Sequence, residues 1–291
     1  MKAIVEFAAP KVNLTLRVLG KRADGFHELE SLVAFARDAS DSVTLDPGPA
    51  RSVAAHGPFA AGIAGENLIA VALDHVARAA PDLILGAITL EKNLPIAAGI
   101  GGGSADAAAV LRAIQRANPG RAGAVDWHAI AARIGADVPV CLASRGQLMT
   151  GIGEILVGMP DLPALAAVLV NPLAPVPAGK TAQVFRGLAA KPLPQPAPAR
   201  VTPATFAGRA ALLTHMAAIG NDLYRPALSV VPEIDDVLGA LRASHRCEHA
   251  QLSGGGPTCF GVFPAMDEAT AAADRIRAFN PRWWVCATRL T

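Results

Sequence analysis

The stretch Leu94-Pro95-Ile96-Ala97-Ala98-Gly99-Ile100-Gly101-Gly102-Gly103-Ser104-Ala105-Asp106 decides how this 291-residue chain is read. Four of its residues between 99 and 103 are glycine, and a helical pattern follows directly. Glycine lets the backbone come close to a ligand, and the first N–H groups of a helix have no partner inside it. Those donors, with the positive end of the helix dipole, suit a polyphosphate. A tight structural turn is the other reading of the same composition. Ser104 sits where its hydroxyl would either cap the helix or touch a phosphate or a metal ion. Generic phosphate loops do not fit. The Walker pattern ends in Gly-Lys-Ser/Thr, whereas Gly103 is followed by Ser104-Ala105. The dinucleotide pattern G-x-G-x-x-G fails because Ser104 holds its last position. A second Walker-like piece, Gly179-Lys180-Thr181, lacks the first glycine, since position 174 is Ala174.

Outward from the loop, Ala87 to Glu91 reads as a strand, and residues 104–117 as a helix ending at Asn118-Pro119-Gly120. A helix over 66–80 is stopped by Pro81, and another begins at Asp126, a good N-cap, and ends before Gly135. Residues 11–18 alternate, with Val12, Leu14, Leu16 and Val18 on one face and Lys11, Asn13, Thr15 and Arg17 on the other. That polar face fits a site lining and a solvated surface equally. Further strands are expected near 147–150, 166–170, 249–252, 258–263 and 283–288, and helices near 208–218, 233–243 and 267–278. The second half thus reads as helices layered on a sheet. Pro192, Pro194, Pro196, Pro198 and Pro203 mark 189–203 as a surface loop or linker. The expected domains are 1–158 and 159–291. No internal repeat is visible.

Hydrophobic residues make up 52% and charged ones 17%, which excludes global disorder. A formal net charge of +2 without a Lys/Arg run argues against nucleic acid as a partner. Cys141, Cys247, Cys259 and Cys286 are too scattered for a zinc site or a disulfide framework, and are expected as reduced, buried thiols. The amino terminus lacks an apolar signal region, and the most apolar stretch, Leu162 to Val170, is too short to span a bilayer. A soluble, cytoplasmic protein is expected, with no membrane partner.

Three segments in order resemble the motifs of the GHMP kinase superfamily: Ala9-Pro10-Lys11-Val12-Asn13-Leu14, then Pro95 to Ala105, then Leu252-Ser253-Gly254-Gly255-Gly256-Pro257. The stretch Arg22-Ala23-Asp24-Gly25-Phe26-His27, the triple glycine 101–103 and Gly135-Ala136-Asp137-Val138-Pro139 resemble the members that act on a cytidyl substrate in non-mevalonate isoprenoid synthesis. The resemblance implies an α+β fold of two domains, an amino-terminal one like ribosomal protein S5 domain 2 and a ferredoxin-like carboxy-terminal one. It implies ATP as co-substrate, Mg2+ as cofactor, a small cytidyl molecule as acceptor, and a monomer or homodimer. By the same resemblance Lys11 and Asp137 are the catalytic pair, with Asp137 as base and Lys11 orienting it and stabilising charge. Pro95, Ile96, Ala97, Ala98, Gly99, Ile100, Gly101, Gly102, Gly103, Ser104 and Ala105 would bind ATP. Asn13, Phe26, His27, Thr181 and Phe185 would hold the cytidyl substrate, and no residue is dedicated to a metal.

Two positions depart from the pattern. Phe26 stands where Tyr is usual, which keeps a stacking ring and loses a hydroxyl. Gly255 stands where Ser or Thr is frequent. Taken singly, the residues have plainer readings: Lys11 on a solvated strand, Asp137 as a turn or cap, Phe26 and Phe185 in a core, and Ser253 to Gly256 as a turn. Another GHMP kinase or a non-enzymatic nucleotide-binding module are the competing functions. The Arg22 to His27 stretch argues against the first, and retention of both Lys11 and Asp137 against the second.

Overall fold

The computed structural model describes residues 2–63, 67–194, 202 and 205–291. In chain order the first strands are β1 (Ile4–Ala8), β2 (Lys11–Asn13), β3 (Arg17–Lys21), β4 (His27–Phe35), β5 (Asp41–Asp46) and β6 (Ser52–His56). Helix α1 (Leu68–Ala79), β7 (Ala87–Glu91), α2 (Gly102–Ala117), α3 (Trp127–Ile134), α4 (Val138–Ala143), β8 (Gln147–Gly151) and β9 (Ile155–Gly158) follow. The remainder is β10 (Leu165–Asn171), α5 (Lys180–Gly187), α6 (Arg209–Ile219), α7 (Tyr224–Val230), α8 (Ile234–Ala243), β11 (His249–Leu252), β12 (Cys259–Phe263), α9 (Met266–Phe279) and β13 (Trp284–Leu290).

The chain forms two compact units that interleave in sequence. One comprises 1–10, 39–96 and 101–144, and the other 11–38, 97–100 and 145–291. These units are divided differently from 1–158 and 159–291: residues 11–38 and 145–158 fall in the second, where Leu16 N donates to Gly220 O and Phe35 N to Thr291 O. Strand alternation states which face is apolar but not which distant strand supplies the ladder.

In the first unit β1-β5-β7-β6 form one sheet, antiparallel except for β6 with β7. Helix α2 packs on β1 and β5, and its buried small residues Ala105, Ala107, Ala108 and Ala109 allow that close approach. The caps act as read: the Asp126 carboxylate accepts from Ala129 N at 2.9 Å, and Asn67 does the same for Ile69 N, each contributing about 1 kcal/mol to its helix. Residue 66, the expected start of α1, lies outside the described residues.

The second unit holds two sheets. One is β2-β4-β8-β9, with β3 also on β4, and the other is β11-β12-β10-β13, antiparallel throughout. The order β10-α8-β11-β12-α9-β13, with α8 and α9 packed on that sheet, is the ferredoxin-like arrangement expected for the carboxy-terminal part. Val168, Val170, Val237, Leu241, Phe263 and Ala273 lie in its buried core. Of the Pro-rich segment, 195–201 and 203 lie outside the described residues. Before them, Lys21 N donates to Lys191 O and Leu193 N to Lys21 O, both at 2.8 Å, so this part pairs with β3.

Residues 11–18 are not one strand. Leu14 N and Thr15 N both donate to the Leu32 carbonyl, which breaks the ladder between β2 and β3. Lys11, Asn13 and Thr15 are as buried as Val12, Leu14 and Leu16, so the polar face is internal and hydrogen-bonded, not solvated. The cysteines are free, but only Cys141 and Cys259 are buried. Cys247, in the turn between α8 and β11, and Cys286, on the edge strand β13, are half-buried, because neither position is covered on all sides. No helix among the described residues is long and apolar enough to cross a membrane.

Candidate active site

The glycine loop is anchored within the first unit by an ionic triad. Lys92, just after β7, places its ammonium against the carboxylates of Asp41 and Asp106, the latter at 2.7 Å. Asp41 also accepts from Asn93 N (2.6 Å) and Leu94 N (2.8 Å), which fixes the chain where it enters the loop. Asp106 lies in the second turn of α2, so one lysine joins the loop's entry to its exit. Burial, with Asp41 adding like charge, pushes the Asp106 carboxyl up to about 8, although Lys92 pulls the other way. Burial opposes the Lys92 charge, yet Asp106 and Asp41 hold its ammonium above the ordinary lysine value. Asp106 Oδ1 has no hydrogen-bond partner.

Helix α2 begins at Gly102, two residues earlier than expected, with Gly101 as N-cap in the left-handed region (φ 64°). Ser104 therefore stands inside the first turn and does not cap the helix.

Within the second unit, residues 97–100 of the loop are gripped from the carbonyl side. Ala97 O accepts from Lys180 Nζ (3.0 Å), Ala98 O from Thr258 N (3.0 Å), and Gly99 O from Ser253 Oγ (3.3 Å). A trans peptide sends its N–H opposite its C=O. The N–H groups of Ala98, Gly99 and Ile100 thus each point away from the donor on the preceding carbonyl. Gly99 (φ 78°) has to be glycine, since a Cβ there would stand 2.4 Å from the Gly256 carbonyl oxygen. The late glycine loop is in this way the backing of the first, and not a plain turn.

Lys11 and Asn13 join the same grip. Lys11 Nζ donates to Asn13 Oδ1 (3.1 Å), Asn13 Nδ2 to Ser31 Oγ (2.7 Å), and Asn13 N to Ser253 Oγ (3.2 Å). Asp137 belongs to the first unit, where it is the N-cap residue of α4 with Pro139 in the first turn. Its carboxylate makes no capping bond there, so helix capping does not account for it.

The Arg22–His27 stretch is the β3–β4 hairpin turn. Arg22 N donates to Phe26 O, Asp24 Oδ1 accepts from Phe26 N, and Arg22 bridges Asp24 and Glu28. Gly25 takes φ 89°, a left-handed value that a side chain would strain. The turn leaves the Phe26 ring 57% exposed and starts β4 at His27. The His27 ring stacks on Phe185 of α5, with centroids 4.9 Å apart and planes 29° apart. Burial, then the Lys21 charge, lowers the His27 pKa, so the imidazole is neutral near pH 7 with one donor and one acceptor. Phe185 packs against His27 and the core of the second unit. Thr181, on the first turn of α5, is exposed. Among the described residues no three His, Cys, Asp or Glu side chains gather as a metal cage. A magnesium ion would suit oxygens from a nucleotide, water and the Ser104 hydroxyl, the set this cation prefers.

Residues 67–145 match the GHMP kinases N terminal domain and 202–282 the GHMP kinases C terminal domain. A 4-diphosphocytidyl-2-C-methyl-D-erythritol kinase from Bradyrhizobium diazoefficiens is 45% identical, covering 100% of this chain and 99% of the relative. One from Rhodopseudomonas palustris is 48% identical, with 98% and 96% covered. The chain belongs to the 4-diphosphocytidyl-2-C-methyl-D-erythritol kinase family of GHMP kinases. It is an ATP-dependent small-molecule kinase. A crystal structure of 4-(cytidine 5'-diphospho)-2C-methyl-D-erythritol kinase shares its fold with a TM-score of 0.77 and 34% identity over 99% of both chains. A homoserine kinase from Cytophaga hutchinsonii shares the fold alone, with a TM-score of 0.64 at 17% identity.

Sequence reading missed Lys92, Asp41, Asp106 and Lys180. Lys180 lay in plain view within Gly179-Lys180-Thr181, but a failed Walker match says nothing about what else a lysine grips.

Proposed function

We propose that this kinase transfers the γ-phosphoryl group of ATP to the 2-hydroxyl of 4-diphosphocytidyl-2-C-methyl-D-erythritol, giving the 2-phosphate and ADP in non-mevalonate isoprenoid precursor synthesis. The full-length identity to enzymes of that name carries the reading, and the Arg22–His27 hairpin supports it. The acceptor's oxygen attacks the γ-phosphorus, the bond to the β,γ-bridging oxygen breaks, and the hydroxyl proton passes to the Asp137 carboxylate. A loose transition state asks for that proton late, so a carboxylate is base enough. Lys11 draws negative charge from the transferring group, and the loop from Pro95 to Ala105 cradles the phosphates through its N–H groups. Mg2+ would neutralise charge across the β- and γ-oxygens. Neutral His27 reads the polar edge of the cytosine, with the Phe26 and Phe185 rings, Asn13 and Thr181 as its other contacts. An aromatic stacking contact to a base is typically worth about 1–3 kcal/mol. The kinase works in the cytoplasm, as a monomer or homodimer, and the family division falls near 158/159.

The test is ADP release with magnesium-ATP and a panel of this acceptor, mevalonate, homoserine and galactose. Turnover with the cytidyl compound alone is expected, and turnover with another acceptor overturns the substrate reading. Replacing Asp137 by Ala is expected to remove the roughly 10²–10⁴-fold contribution typical of acid–base assistance while ATP still binds. Full activity in that variant would remove Asp137 from the mechanism.

A further inference from the structure

Lys180 occupies a position that is unfavourable in three respects. Its side chain is buried. It stands in the first turn of α5, where the helix dipole repels a cation. Its hydrogen bonds go to neutral carbonyls, and among the described residues no carboxylate forms an ion pair with it. A lysine held at such a cost needs a compensating task, and its two partners suggest one. Nζ joins Ala97 O in the first glycine loop to Gly256 O in the late one. Ala97 is a non-glycine residue at φ 52°, a strained left-handed conformation that its surroundings must impose.

We propose that Lys180 is a positioning residue for the nucleotide: by clasping the Ala97 and Gly256 carbonyls it fixes the first peptide plane of the phosphate loop and locks that loop to the late glycine loop. With the Ala97 carbonyl held, the direction of the Ala98 N–H is fixed opposite to it. The loop then meets the phosphates already ordered, so less entropy is lost on binding. The ammonium, with no ion-pair partner among the described residues, stands behind the loop on its carbonyl side and adds positive potential there. The inference rests on the ATP reading of residues 95–105. Lys180 itself transfers no proton and makes no bond to the reacting atoms.

Lys180→Met and Lys180→Gln, assayed for KM of ATP, KM of the acceptor, kcat and Tm, test it. The methionine variant is expected to raise the ATP KM about 10- to 30-fold, because two buried carbonyls lose their donor and the loop loses its lock. Glutamine, which can still donate to one carbonyl, is expected to fall between it and the parent. The acceptor KM should stay within about twofold, a split that general loss of structure would not give. Equal changes in both KM values, or an unchanged ATP KM, overturn the proposal. Should the methionine variant not fold, the glutamine variant carries the same criteria. Failure of the parent enzyme to use ATP would instead defeat the reading of the loop.

Discussion

Two buried lysines hold one glycine loop, and they do so in opposite ways. Lys92 sits between two carboxylates and closes the loop's base, from Asn93-Leu94 to Asp106. Lys180 sits on two carbonyls and holds the loop's middle. At the base Asp41 neutralises the positive charge, and Asp106, which keeps its proton to about 8, accepts a second bond from the same ammonium, so the triad is a structural staple with little field left for a ligand. In the middle no carboxylate among the described residues pairs with the charge, and burial lowers the Lys180 ammonium to about 8. A staple that must hold regardless of ligand is best neutralised internally. A clasp beside an anionic ligand gains from waiting for the ligand's charge.

The contrast is broken most violently at Lys92. Replacing it by Met leaves the buried Asp41 carboxylate without its cation, and removing one partner of a buried ion pair costs about 3–5 kcal/mol. Urea unfolding should show that loss. Lys180→Met, by comparison, should leave stability within about 1 kcal/mol, since the lost hydrogen bonds are offset by the relieved burial of a charge. Equal destabilisation in the two variants would erase the distinction drawn here.

A second, smaller effect separates them by pH. The folded Asp106 keeps its proton to about 8, whereas in the unfolded chain it releases it near the ordinary 3.8. Between these values the folded state holds the extra proton. Its contribution to stability is therefore full below pH 3.8, falls as pH rises, and is gone above about 8. Asp106→Asn removes this slope, so urea unfolding across pH 5 to 8 should give a flatter profile than the parent. Lys180 has the opposite sign and a different window. From about 8 to 10.5 the unfolded chain binds the proton that the folded one has lost, and stability rises with pH.

Much of this was legible in local pattern. The glycine run, the helix that follows, the Asp126 cap, and β7 and β11 at their observed bounds all come from spacing within a few residues. What escaped was set by distance. β4 and β5 went unread because their neighbours in the sheets lie far along the chain, and their own alternation is short or interrupted by charge. α4 and α5 are brief and flanked by proline or glycine. Lys180 is buried only because residues near 97 and 256 converge on it, and no window of sequence contains all three. The catalytic candidates Lys11 and Asp137 came from resemblance. The structure adds that Lys11 is buried beside Asn13 and that the Asp137 side chain makes no capping bond to its helix.

The finest test of the contrast is proton uptake on nucleotide binding. If the Lys180 ammonium lies near the phosphates, their negative charge favours its protonated form and raises its pKa above about 8. Near pH 8 a fraction of the free enzyme carries the neutral amine, so ATP binding must take up a fraction of a proton, and the uptake must fade toward pH 6.5, where the lysine is already charged. Calorimetry in two buffers of different ionisation enthalpy measures that fraction directly. Lys180→Met should abolish it. Lys92, whose pKa is held up by two carboxylates, stays charged throughout and contributes nothing. Uptake that persists in Lys180→Met would assign the proton to another group and leave the clasp a mechanical device, with no electrostatic part in nucleotide binding.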